Sequence, residues 1–140
     1  MVIRHLKNKK GYTIIELMVV LAVISIILLL CGVYILQAKK YAYKVTSKYD
    51  LTKFAKIEEE YYVENEKFAG RTGQSIRNDG IESDFRLRGF YPTAGVCVTI
   101  ISGDPENPFN SSNPFIAQSR HNGVPSLFEF NFTTREMVEK

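Results

Sequence analysis

The stretch from Leu17 to Leu36 limits this chain more than any other feature: 20 consecutive residues carry no charge. As a helix rising 1.5 Å per residue it spans roughly 30 Å, the thickness of bilayer hydrocarbon. Leu21, Ile24, Ile27, Leu28 and Leu30 spread apolar side chains over every helical face. A one-sided surface helix does not have this pattern, whereas a membrane span or the centre of a helix bundle does. Outside the run the chain is polar, and its length suits one compact domain rather than two. A plain soluble globule is excluded.

Charge is just as unevenly placed. The formal balance is 18 basic against 15 acidic residues. Arg4, Lys7, Lys9 and Lys10 lie in the first ten residues, which hold no acid, leaving 14 basic against 15 acidic residues from Tyr12 onward. The basic pI therefore belongs to the N-terminal stretch and does not indicate a nucleic-acid-binding body. Lys39, Lys40, Lys44 and Lys48 follow the apolar run, so counting positive charges does not orient the span. These four lysines read as a solvated or headgroup-facing set rather than a DNA contact. Cys31 lies inside the run and Cys97 far outside it, which gives no disulfide framework.

A secretory signal peptide needs small residues before a cut beyond the apolar stretch, and no convincing pair is present there. Leu28-Leu29-Leu30-Cys31-Gly32 resembles a lipobox but carries Leu30 where a small residue is usual. A retained membrane helix, with Cys31 as one more small hydrophobe, fits the composition better.

One carboxylate stands out. Glu16 is the sole acid or base between Tyr12 and Leu36, tyrosines aside. An acid within a membrane span costs on the order of 2.5–3.5 kcal/mol on insertion scales. Two readings follow from the residues alone: Glu16 snorkels to the interface, or it awaits a cation from another chain.

The segment Lys9-Lys10-Gly11-Tyr12-Thr13-Ile14-Ile15-Glu16-Leu17-Met18-Val19-Val20 resembles the type IV prepilin N-terminus shared by pilins and the pseudopilins of type II secretion. The ordered match covers roughly 25 residues: basic leader, glycine, aromatic, glutamate, apolar helix. It implies that Gly11 precedes the bond cut by the prepilin peptidase and that Tyr12 becomes an N-methylated N-terminus. It further implies that Glu16 meets the N-terminal amine of a neighbouring subunit, fixing the stagger as buried polar groups do in coiled coils. The leader then faces the cytoplasm. At mid-helix, Ser25 and Val33 stand where many major pilins have a glycine and a proline, with Gly32 beside the latter. A proline kink is therefore not expected.

Beyond Gln37 the helix is expected to continue to about Asn65, with Leu51, Phe54, Ile57 and Tyr61 forming a stripe that packs on a sheet. Residues 69–83 read as a connecting loop rich in glycine. Strand-like stretches follow at Phe85–Arg88, Gly95–Ile101, Pro114–Ser119 and Leu127–Phe132, with Asn122-Gly123 as the turn between the last two. Gly103 to Asn113 is the longest exposed loop. Glu58-Glu59-Glu60, Glu64 and Glu66 read as a solvated helix face.

The expected fold is α+β: a long N-terminal helix, a transmembrane half plus a head-packing half, against a small antiparallel sheet of three or four strands. Its boundaries are a cleaved basic leader at 1–11, a transmembrane and assembly helix at 12–37, its amphipathic continuation at 38–66, and a loop and sheet head at 67–140.

No catalytic chemistry is evident. The chain has no phosphate loop, CxxC or HExxH, and His121 reads as a solvated turn residue remote from any role with Cys97. Asp104, Glu106, Asn107 and Asn110 offer oxygen ligands but lack EF-hand spacing, so no metal or other cofactor is assigned. The helix tyrosines read as interface and packing residues. The resemblance implies a structural filament subunit with these partners: identical or related pilin subunits, the prepilin peptidase, the inner-membrane assembly platform and the lipid bilayer. It places the precursor in the bacterial inner membrane and the product in an extracellular or periplasmic filament. A bitopic or lipidated extracytoplasmic binding module is the alternative, and intact mass separates them.

Overall fold

The computed structural model describes residues 11–140; the leader up to Lys10 lies outside them. The described residues form two compact units that divide after Ala38. One element runs through both, the helix α1 (Ile14–Asn65). The sheet, in the second unit, contains β1 (Ser75–Arg77), β2 (Val96–Ser102), β3 (Ile116–His121), β4 (Leu127–Asn131) and β5 (Glu136–Glu139).

In the first unit every side chain from Ile14 to Ala38 is exposed. An 18-residue window of the helix has a mean hydropathy of 3.1, long and apolar enough to cross a membrane. Gly32 does not interrupt it, and the Ser25 hydroxyl donates back to the Leu21 carbonyl at 2.8 Å. Both residues are thus accommodated as helix.

The second unit is built on the amphipathic part of α1. Ser47, Asp50, Leu51, Phe54, Ala55 and Glu58 recur at three- and four-residue spacing and are buried. The helix stops without glycine: Glu66 takes a left-handed conformation (φ 57°) and its N–H donates to the Tyr62 carbonyl at 2.8 Å. That single bond closes the end as an αL cap.

The five strands form an antiparallel meander in the order β1-β2-β3-β4-β5. Register places Ile76, Val98, Ser119, Phe128 and Glu139 in one cross-strand row and Ile100, Ala117, Phe130 and Met137 in the next. These rows share the face that packs with Leu51, Phe54 and Ala55 in one core. The opposite face carries Ser75, Thr99, Gln118, Glu129 and Val138. Phe68, Phe115 and Phe132 close the far end of the core, with Phe68 ring centres 4.7 Å from Phe115 and 4.8 Å from Phe132. Beside them Gly103 (φ +108°) runs so close that a Cβ would stand 2.3 Å from the Phe115 Cα. Only glycine fits there.

Several local expectations are corrected. The sheet has five strands, not three or four. Phe85–Arg88 is no strand: Phe90 N–H closes a turn onto the Leu87 carbonyl at 3.0 Å, and Leu87 is buried beneath it. Its alternation reflects loop packing. The glycine-rich stretch contains β1, which has a single apolar residue, Ile76, to betray it. Asn122-Gly123 joins β3 to β4, and a further turn at Phe132–Arg135 leads into β5. There the Asn131 side chain accepts the N–H groups of Thr133 and Thr134.

Glu58 does not belong to a solvated face, because it is fully buried in the core. His121 is likewise not solvated: it is buried and stacks on Tyr43 with ring centres 4.0 Å apart.

Candidate functional site

The start of α1 is where the sequence concentrates its chemistry. Gly11 and Tyr12 precede the helix and are exposed, Tyr12 to 90%. Thr13 occupies the N-cap. Its hydroxyl oxygen accepts the Glu16 N–H at 3.2 Å, and Glu16 Oε2 accepts the Thr13 N–H at 2.8 Å. The Thr13 hydroxyl also donates to Glu16 Oε2 at 3.0 Å. This reciprocal pair is a capping box, T-x-x-E, satisfying two N–H groups that a helix start leaves open. The carboxylate also lies near the positive end of the helix dipole.

The structure therefore holds Tyr12, Thr13 and Glu16 within one turn at the mouth of an apolar span. In the single chain Glu16 is occupied by its own helix end. Thr13 is the residue that sequence reasoning missed. The signal was present, since a threonine three residues before a glutamate ahead of an apolar run marks a helix start.

Residues 6–31 match the family model described as the prokaryotic N-terminal methylation motif. The chain carries the type IV prepilin signature. That motif is the one carried by type IV pilin- and pseudopilin-type precursors, and here it opens a helix long and apolar enough to cross a membrane. The α+β architecture, one long N-terminal helix with a five-stranded antiparallel sheet, is pilin-like. Searches of curated proteins and of solved structures found no match to this chain.

The head supplies no rival site from the residues weighed in the sequence. Cys97 pairs with Arg120 in the β2–β3 register and His121 with Val96, so they point to opposite faces of the sheet. His121 Nδ1 accepts the Gly123 N–H at 2.9 Å, and the Cys97 sulfur lies 3.5 Å from the Thr99 hydroxyl. In the long loop, Asp104 Oδ1 accepts the Glu106 N–H and Asn110 Oδ1 accepts the Ser112 N–H, so both side chains shape turns. Among the described residues no group of three His, Cys, Asp or Glu could hold a metal. Of the four lysines after the span, Lys44 pairs with Glu139 on β5.

Two buried carboxylates tie α1 to the loops. Asp50 accepts the Thr93 N–H at 2.6 Å and the Thr93 hydroxyl at 3.2 Å. Glu58 accepts the Ala69 N–H at 2.9 Å through Oε2, while Oε1 has no partner. Loss of hydration pushes the Glu58 carboxyl up to about 7, against the pull of the Ala69 and Gly70 backbone.

Proposed function

We propose that this chain is a structural subunit of a type IV pilus or a related pilin-like filament, such as a secretion pseudopilus. In this reading the prepilin peptidase cuts after Gly11 and methylates the new amine of Tyr12. Subunits wait in the inner membrane and leave it as their apolar helices bundle. Glu16 then exchanges its contact with Thr13 for the amine of a neighbouring subunit. A buried acid that loses its cation is costly, so this pair sets which staggers are allowed. The role is structural rather than enzymatic, and the partners are further copies or related subunits with the assembly platform.

One observation carries the reading: residues 14–36 of α1 are exposed and apolar all round, and their lone carboxylate, Glu16, sits one turn from Tyr12. Intact mass and electron microscopy test it together. The expected mature chain begins at methylated Tyr12 and forms filaments, and Glu16→Ala keeps that mass but yields none. Normal filaments from Glu16→Ala would overturn the role of the carboxylate. A mass starting at acylated Cys31, or retaining Met1, would replace the filament subunit by an anchored module.

A further inference from the structure

The Phe85–Arg88 alternation, which no strand absorbs, leaves two arginines on the outside of one short loop. Leu87 is buried and its carbonyl accepts the Phe90 N–H, while Arg86 and Arg88 on either side of it are exposed. Both line a cavity of about 650 Å³ in the second unit, together with Arg77, Asn78, Phe90 and Tyr91. Small-ligand sites have this form: concave, largely apolar, with a few convergent polar groups. None of the described residues lining it is acidic. Two acids beside β1 are engaged elsewhere. Asp79 accepts from Arg77 Nη2 at 3.2 Å, and Asp84 accepts the Ser75 N–H at 2.8 Å and the Ser75 hydroxyl at 2.7 Å. Glu82 is exposed and does not line the cavity. Arg77 is thus answered within the chain, whereas Arg86 and Arg88 are in no ion pair among the described residues. The walls are tied in place: Asn78 Nδ2 donates to the Pro92 carbonyl at 3.0 Å, and the Arg77 N–H to the Ser83 hydroxyl at 2.9 Å.

We infer that this cavity binds a sugar acid, a pyranose ring bearing one carboxylate. The guanidinium fork of Arg86 or Arg88 matches a carboxylate with two parallel hydrogen bonds, which a lysine cannot offer. Tyr91 is 82% exposed, and its ring gives the C–H face of a pyranose an apolar surface to rest on. Asn78 spends its amide nitrogen on Pro92, which leaves its carbonyl oxygen to accept a ring hydroxyl. The limit to one charge comes from what lies past Arg88. A second cavity that shares this residue is lined by Glu60 and Glu64. A nucleic acid strand, or any long polyanion leaving the first cavity on that side, would meet those carboxylates. Neutral hydroxyls find acceptors there instead. The inference concerns the second unit alone and does not depend on the filament reading above.

Titration of the full chain with glucuronate tests this, in a detergent whose headgroup carries neither sugar nor charge. Calorimetry reads the affinity, and saturation-transfer NMR reads which ligand protons touch the protein. The expected result is binding of glucuronate through its ring protons and none of glucose. Arg86→Gln and Arg88→Gln should each weaken it about tenfold, the loss of one charged hydrogen-bonding group. Tyr91→Ala should weaken it about fivefold. All three side chains are exposed, so unchanged urea midpoints show that the variants stay folded. Tighter binding of a glucuronate-terminated oligosaccharide than of free glucuronate would identify the ligand as a glycan end, and equal binding as the free acid. Either supports the sugar acid. Glucose binding as well as glucuronate, or no binding of either, would overturn the inference. So would inorganic phosphate that binds as tightly as glucuronate, which means a generic anion site, or a twelve-residue oligothymidylate that binds more tightly, which means a nucleic-acid surface. Wild-type affinity in the Arg86→Gln/Arg88→Gln double variant would remove the ligand from this cavity.

Discussion

Glu58 reaches from α1 to the backbone of Ala69, an N–H to carboxylate bond of 2.9 Å, with its side chain fully buried. Its second oxygen has no donor, and burial raises the group to about 7 from an ordinary 4.5. Between those values the folded head holds a proton that the unfolded chain releases, so stability falls as pH rises through that window. The full penalty, present above about pH 7, is about 3 kcal/mol. Urea unfolding of the detergent-solubilised chain at pH 5 and pH 8 should show the lower midpoint at pH 8. Glu58→Gln should flatten most of the difference. A wild-type midpoint that is higher at pH 8 would contradict this.

Asp50 and Thr93 make a second tie, directed at the loop before β2. Asp50→Ala removes a charged acceptor from the Thr93 N–H and hydroxyl together and should cost about 1.5–3 kcal/mol. Thr93→Val removes only the hydroxyl contact and should cost about 1 kcal/mol. The same urea titration ranks them, and equal midpoints for the two variants would show that the backbone bond is not the stronger part.

The extent of α1 and the three longest strands was legible because each carries a pattern only one structure explains. Leu51, Phe54 and Ile57 recur at helical spacing, and Leu127–Phe132 alternates as a one-faced strand does. β1 and β5 are three and four residues long, with too few apolar positions for any period to emerge. They exist because β2 and β4 offer open edges to pair with. Glu58 was misread since its neighbours Glu59 and Glu60 look like one solvated run. Helical geometry places only the first of the three on the buried stripe with Leu51, Phe54 and Ala55. At the N-terminus the motif residues were readable, but the Thr13–Glu16 bonds needed coordinates to be seen.

Phe68 touches Phe115, Phe132, Tyr62 and Phe109 and is itself buried. Phe68→Ala leaves a cavity among rings held by α1 and by separate loops and should destabilise the head by about 3–5 kcal/mol. Phe68→Leu, which refills much of the space, should lose clearly less. Equal losses for the two variants in urea would mean that the site collapses around either side chain.

Thr13 and Glu16 separate helix capping from charge pairing. Thr13→Ala deletes the N-cap hydroxyl and should cost about 1 kcal/mol at the helix start, roughly a fivefold rise in local opening. Amide exchange at Glu16 and Leu17, whose N–H groups bond to Thr13, should quicken by that factor in micelles, while Thr13→Ser should hold the wild-type rate. Glu16→Gln keeps an oxygen that can accept the Thr13 N–H, since glutamine also completes a capping box. Its amides should therefore stay protected even though the charge is gone. If the amine of a neighbour seeks the negative charge, Glu16→Gln should lose filaments and Thr13→Ala should still make them. The opposite outcome, filaments from the glutamine variant and none from Thr13→Ala, would assign assembly to the shape of the helix start instead of its charge.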